Sequence, residues 1–80
     1  MTVTVYTAPA CGGCIATKRH LKSRCLAHDE QPLHTSPDVA AIMAAHPELG
    51  TAPIVRAVLD DGSEQVWDGY RPDRIDALVS

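Results

Sequence analysis

Cys11 and Cys14 stand three positions apart with Gly12-Gly13 between them, and a third cysteine, Cys25, follows in this chain of 80 residues. Thiols at the CxxC spacing can do two kinds of chemistry. One cysteine can attack a disulfide as a thiolate while the other resolves the mixed disulfide. Alternatively, the pair can supply half of a tetrahedral zinc site. Cys25 and His28 would complete that site, because CxxC, ten residues and CxxH fit a zinc finger or ribbon. His20, His34 and His46 show neither metal-ligand spacing with one another nor an obvious carboxylate partner. They read as structural histidines, and no catalytic base is assigned.

The choice between the two chemistries depends on the elements that hold the cysteines. Val3 and Val5 alternate with Thr2, Thr4 and Tyr6, which predicts a strand ending near Thr7. Ala8-Pro9-Ala10 breaks it. No proline interrupts residues 12 to 26, and Cys14, Leu21 and Cys25 fall on one face of a helix there. Cys11 then sits at the helix start, where unpaired backbone N–H groups favour a thiolate and depress the thiol below its free value of about 8.5. Cys14, one turn further in, faces the core. A rise of about 1.5 Å per residue separates Cys14 from Cys25 by roughly 16 Å, too far for one ion. Cys25 then reads as a small buried hydrophobe on the helix face, and His28 as loop polarity. Each of Gly12 and Gly13 costs about 1 kcal/mol of helix propensity, which loosens the first turn and lets a partner's backbone approach. Lys18, Arg19, Lys22 and Arg24 supply the solvated side.

The remaining elements follow from local signals. Gln31 to Thr35 is a short strand whose Pro32 suits an edge. Ser36-Pro37-Asp38 starts a helix with a hydroxyl cap, proline at the first position and an acid at the positive dipole end. Val39, Ile42, Met43 and His46 keep helical spacing until Pro47 and Gly50 stop it. Ile54, Val55, Val58 and Leu59 form an apolar strand, Asp60-Asp61-Gly62 turns, and Glu64 to Trp67 returns antiparallel. Pro72 opens a last helix with Ile75, Leu78 and Val79 as its apolar stripe. The expected fold is α/β, in the order β-α-β-α-β-β-α, with a four-stranded mixed sheet and three helices in one domain spanning residues 1–80.

Composition excludes several classes. Hydrophobic residues make up 45% and charged residues 21%, which is globular rather than disordered. A net charge of -3 with no basic patch or stacking aromatics argues against nucleic-acid binding. The opening residues lack the basic and apolar regions of a signal peptide, and no stretch approaches a membrane span, so a cytoplasmic location is expected. In that reducing setting, three cysteines suggest redox chemistry or metal binding, not a disulfide scaffold.

Three separated stretches carry a family resemblance: Ala8-Pro9-Ala10-Cys11-Gly12-Gly13-Cys14 with Ala16-Thr17-Lys18-Arg19, Thr51-Ala52-Pro53-Ile54-Val55, and Trp67-Asp68-Gly69-Tyr70-Arg71-Pro72-Asp73-Arg74-Ile75. Together they resemble the NrdH-type redoxins, glutaredoxin-like proteins of about this length. The resemblance implies a thioredoxin-like fold, with Cys11 as nucleophile and Cys14 as resolving cysteine. It implies a cis peptide before Pro53 and a substrate groove formed by Thr51, Ala52 and Pro53, where Ala52 offers main-chain groups to an extended peptide. Gly12, Gly13, Trp67, Gly69, Tyr70 and Arg71 become the expected partner-facing motif. Read without the resemblance, Thr51-Ala52-Pro53 is an ordinary strand entrance, Trp67 and Tyr70 are packing residues, and Arg71 and Asp73 are helix-start polarity.

The Gly-Gly and acidic motif of glutathione-using glutaredoxins is missing ahead of the last helix. The redoxin type implies electrons from NADPH through thioredoxin reductase, delivered to class Ib ribonucleotide reductase or another protein disulfide. No bound cofactor or metal and no partner subunit is expected. Gly12-Gly13, Asp68 and Tyr70 depart from the family, which more often has bulky or polar residues, serine and phenylalanine there. A glutathione-dependent glutaredoxin is the alternative within the enzymes. A zinc-binding interaction module on Cys11, Cys14, Cys25 and His28 is the alternative from another class.

Overall fold

The computed structural model describes residues 1–79. Its elements run β1 (Thr2–Thr7), α1 (Gly12–Ser23), β2 (Asp29–Pro32), α2 (Pro37–Ala45), β3 (Ile54–Val58), β4 (Glu64–Asp68) and α3 (Pro72–Ala77). The strands form one sheet in the order β2-β1-β3-β4, with β1 parallel to β2 and the other pairs antiparallel.

The alternation along β1 and β3 sets the two layers. Val5 lies opposite Val55 and Val3 opposite Ala57, and these four pack with Leu21 of α1, Trp67 of β4 and Ile75 of α3. The neighbouring positions Tyr6 and Ile54 point to the other face, where Val39 and Ile42 of α2 and Leu49 cover them. Burying each of these aliphatic side chains contributes about 1.5–3 kcal/mol. Helices on both faces bury apolar residues of β1 and β3 on both sides, while Thr4 and its partner Arg56 stay partly exposed on the α2 side.

Several boundaries differ from the expectations. β2 begins at Asp29 and ends at Pro32, not at Gln31 and Thr35, and all four of its residues are exposed. It is the edge strand expected of a segment with Pro32, and Leu33 N–H continues the pairing by donating to Thr7 O at 2.8 Å. Ser36 occupies the N-cap of α2, but its hydroxyl makes no capping bond. Val39 and Ile42 are buried, whereas Met43 is exposed. α3 ends at Ala77, so of the expected stripe only Ile75 lies within it, buried; Leu78 is the half-buried C-cap and Val79, beyond it, is exposed.

The largest departure is at the end of α1, which stops at Ser23. Cys25 N–H donates to Lys22 O at 3.1 Å and Leu26 N–H donates to Leu21 O at 2.9 Å. With Arg24 as C-cap, these are the two bonds of a Schellman motif, and Cys25 takes the left-handed slot at φ 58°. Leu26 folds back against the cluster containing Leu21. Cys25 is therefore exposed rather than buried on the helix face.

Candidate active site

The chain leaves β1 at Thr7 and reaches α1 through Ala10, whose φ of 53° is left-handed and unfavourable for a residue with a Cβ. Cys11 follows as the N-cap in extended geometry, at φ -104° and ψ 102°. Its Sγ accepts a hydrogen bond from Cys14 N–H at 3.0 Å, and its carbonyl accepts one from Ile15 N–H at 3.3 Å. A sulfur in the capping position receives a donor that α1 cannot satisfy internally. No acid in the first turn offsets the positive end of the helix. Both features favour negative charge on Cys11 Sγ. The two sulfurs are joined in a disulfide with Cα atoms 5.2 Å apart. Cys11 is half-buried, whereas Cys14 is only 3% exposed.

The Ala52–Pro53 peptide is cis, and Pro53 is buried. This loop lies against the first turn of α1: a Cβ on Gly13 would sit 3.3 Å from Pro53 Cδ and 3.4 Å from Ala52 O. Gly13 thus makes room for the chain's own cis-proline loop, not for a partner's backbone. A Cβ on Gly12 would meet nothing within 4 Å, so Gly12 keeps the open side.

Asp68, at the end of β4, fixes the loop from behind. Its Oδ2 accepts from Gly50 N–H at 2.8 Å and from Thr51 N–H and Oγ1 at 3.0 Å each. The Gly50 bond is the main cause holding its carboxyl below the usual value; partial burial opposes it, and the Thr51 bonds add to the lowering. Gly69 N–H donates to Pro53 O at 2.8 Å, with Gly69 itself at φ 74°. In the sequence Asp68 stands out only as a departure from serine. Its signal was an acid on the hairpin strand whose register pairs it with Ile54, next to Pro53.

The expected partner-facing residues divide. Trp67 is 3% exposed and packs in the core beneath Arg74, whose Cζ is 5.2 Å from the ring centroid, so it offers no surface. Tyr70 is exposed, and its hydroxyl lies 3.5 Å from His20 Nδ1. Arg71 is exposed and paired with Asp73 at 2.9 and 3.1 Å. The histidines also have partners that spacing did not reveal. His20 Nε2 is 2.7 Å from Asp76 Oδ1, which Arg24 Nε also approaches at 3.3 Å, and His46 Nδ1 is 3.4 Å from Glu48. The first of these contacts ties α1 to α3 across 56 positions of sequence.

Cys25 stands at the opposite end of α1 from Cys14, and His28 is half-buried in the connection to β2. Among the described residues, no three His, Cys, Asp or Glu side chains are grouped to hold a metal ion. What the site can do is open and close the Cys11–Cys14 bond beside an apolar, cis-proline-shaped loop.

Comparison with known proteins gives the same direction. No family model matches the chain. The glutaredoxin-like protein NrdH of Salmonella typhimurium is 33% identical over 78 residues, covering 98% of this chain and 89% of that protein. Among solved structures, the Escherichia coli NrdH-redoxin, a glutaredoxin-like protein with a thioredoxin-like activity profile, aligns with a TM-score of 0.77 and 32% identity. That alignment covers 98% of this chain and 95% of the other. A thioredoxin-like protein aligns with a TM-score of 0.69 and 24% identity over 95% of this chain and 97% of its own, and it shares the fold. Identity at this level along almost the whole of both chains, on a thioredoxin-like architecture, places the protein in the NrdH family of glutaredoxin-like redoxins, thiol–disulfide oxidoreductases.

Proposed function

We propose that this redoxin is a cytoplasmic, monomeric dithiol electron carrier in which Cys11 attacks and Cys14 resolves. Cys11 thiolate attacks one sulfur of a protein disulfide, and the other substrate sulfur leaves with the electron pair and takes a proton. Cys14 thiolate then attacks Cys11 Sγ, closing the intramolecular disulfide and releasing the second substrate thiol. The substrate gains two electrons and the redoxin loses them. The observation that carries this assignment is the Cys14 N–H bond to Cys11 Sγ. It supports charge on Cys11 alone, and the burial of Cys14 keeps the resolving thiol from competing for the substrate.

Thr51, Ala52 and Pro53 form the wall along which an extended substrate segment lies, with Ala52 pairing its backbone. Gly12, Gly69, Tyr70 and Arg71 border the same side. The preferred substrate is class Ib ribonucleotide reductase, as the family's members imply. Thioredoxin reductase returns the thiols using NADPH, and the thioredoxin-like activity profile of the E. coli relative supports this choice. No cofactor is required on the redoxin itself.

The test is NADPH consumption with a model protein disulfide, comparing thioredoxin reductase with glutathione plus glutathione reductase, and Cys11→Ser as control. Turnover with thioredoxin reductase alone, lost in the variant, is the expected result. Turnover only with glutathione would replace the reductase assignment by a glutaredoxin cycle.

A further inference from the structure

Thr17 is fully enclosed on α1, and its hydroxyl oxygen has no hydrogen-bond partner among the described residues. An unsatisfied buried hydroxyl costs about 1–3 kcal/mol. In a helix this cost is usually avoided by bonding the carbonyl four residues back; here that carbonyl is Gly13 O, and no such bond forms. Thr17 stands three positions beyond Cys14, the spacing that stacks two side chains on one helix face. Both are buried. Helical side chains lean toward the N-terminus, which directs the Thr17 side chain toward the turn that carries Cys14.

The disulfide form gives this hydroxyl little to bind, because Cys14 Sγ is then bonded to Cys11 Sγ and is a weak neutral acceptor. Opening the bond changes the acceptor. Cys14 becomes a thiol, and in the resolving step a thiolate, to which a hydroxyl bonds strongly. We propose that Thr17 Oγ1–H donates to Cys14 Sγ in the open form, making Thr17 a positioning residue for the resolving cysteine. The inference rests on the assignment of Cys14 as the resolving thiol.

In the mixed disulfide, Cys14 loses its proton to solvent and its thiolate is held by the Thr17 hydroxyl. It attacks Cys11 Sγ, the bond from Cys11 to the substrate sulfur breaks, and that sulfur leaves with the electron pair and takes a proton from water. Burial of Cys14 disfavours a charged sulfur; the hydroxyl offsets this. It also stabilises the dithiol form relative to the disulfide.

The experiment measures the equilibrium of the Cys11–Cys14 couple against a reference dithiol, with thermal unfolding of both redox forms, for wild type, Thr17→Val and Thr17→Ser. Valine keeps the volume and removes the hydroxyl. The expected result is a shift toward the disulfide of about 3- to 10-fold in Thr17→Val, destabilisation of the dithiol form relative to the disulfide form, and recovery in Thr17→Ser. Thr17→Ala gives the same reading if valine impairs folding. An unmoved equilibrium in the hydroxyl-free variants, or equal stability changes in both redox forms, would overturn the inference and leave a purely structural threonine. Failure of the wild-type protein to exchange disulfides would instead remove the functional assignment beneath it.

Discussion

The Asp68 carboxylate holds Thr51 by two hydrogen bonds at once, from its N–H and from its hydroxyl, each at 3.0 Å. A third from Gly50 N–H at 2.8 Å completes the attachment. The segment entering cis-Pro53 is therefore anchored to the end of β4 by one side chain. Asp68→Ala is expected to lower unfolding stability by about 1–2 kcal/mol, the scale of charge-assisted bonds at a partly exposed site, and to slow exchange by releasing the Thr51–Pro53 wall. Urea denaturation of the oxidised protein, with a disulfide-reduction assay, checks both.

The same carboxyl gives a pH signature. Its folded value is held down, first by the Gly50 N–H, with burial opposing and Thr51 assisting. A depressed carboxyl contributes its full stability above its ordinary value near 3.8 and loses it as pH falls through the folded value. Stability should therefore fall with acidification below about pH 4, and Asp68→Asn should flatten part of that fall. Glu30, Glu64, Asp61 and Asp73 are also held low, so a residual slope remains in the variant. An identical slope in the two proteins would contradict the assignment.

What the sequence disclosed tracks how local each signal is. The Val3–Val5 alternation and the break at Ala8-Pro9-Ala10 mark β1, and the CxxC places its own cysteines at the start of α1. β2 was displaced because four exposed residues, 29–32, carry no apolar pattern to fix its ends. Cys25 was misplaced because a left-handed helix end signals itself by glycine, and here a cysteine occupies that slot. Asp68 with Gly50 and Thr51, and His20 with Asp76, join positions 17, 18 and 56 apart, which no helix or strand period encodes. Trp67 lay in a motif that suggested a surface, but its register opposite Val55 turns it into the core.

The Schellman end of α1 predicts that Cys25→Gly is stabilising. Removing the Cβ from a residue at φ 58° relieves an unfavourable left-handed conformation, and the greater freedom of glycine in the unfolded chain offsets part of it. A net gain of about 0.5–1 kcal/mol is expected by thermal denaturation. Disulfide exchange should be unchanged.

The two glycines between the cysteines should respond differently to alanine. Gly12→Ala meets nothing within 4 Å and should keep full exchange with equal or higher stability, since alanine favours the helix by up to about 1 kcal/mol. Gly13→Ala places a methyl 3.3 Å from Pro53 Cδ and 3.4 Å from Ala52 O. The cis-proline loop must retreat, and exchange with a protein disulfide should slow several-fold. Parallel stopped-flow reduction of one substrate by the two variants makes the comparison.

The Cys14 N–H bond to Cys11 Sγ predicts that Cys11 is the thiolate of the reduced pair, and the pH dependence of alkylation tests this most directly. The measurement uses the reduced protein in a Cys25→Ser background, since Cys25 is exposed, and locates the modified cysteine by peptide mass spectrometry. The account predicts that Cys11 is alkylated first, with a midpoint below the free-thiol value of about 8.5, while Cys14 stays protected. Modification of Cys14 first, or a Cys11 midpoint at or above that value, would contradict it.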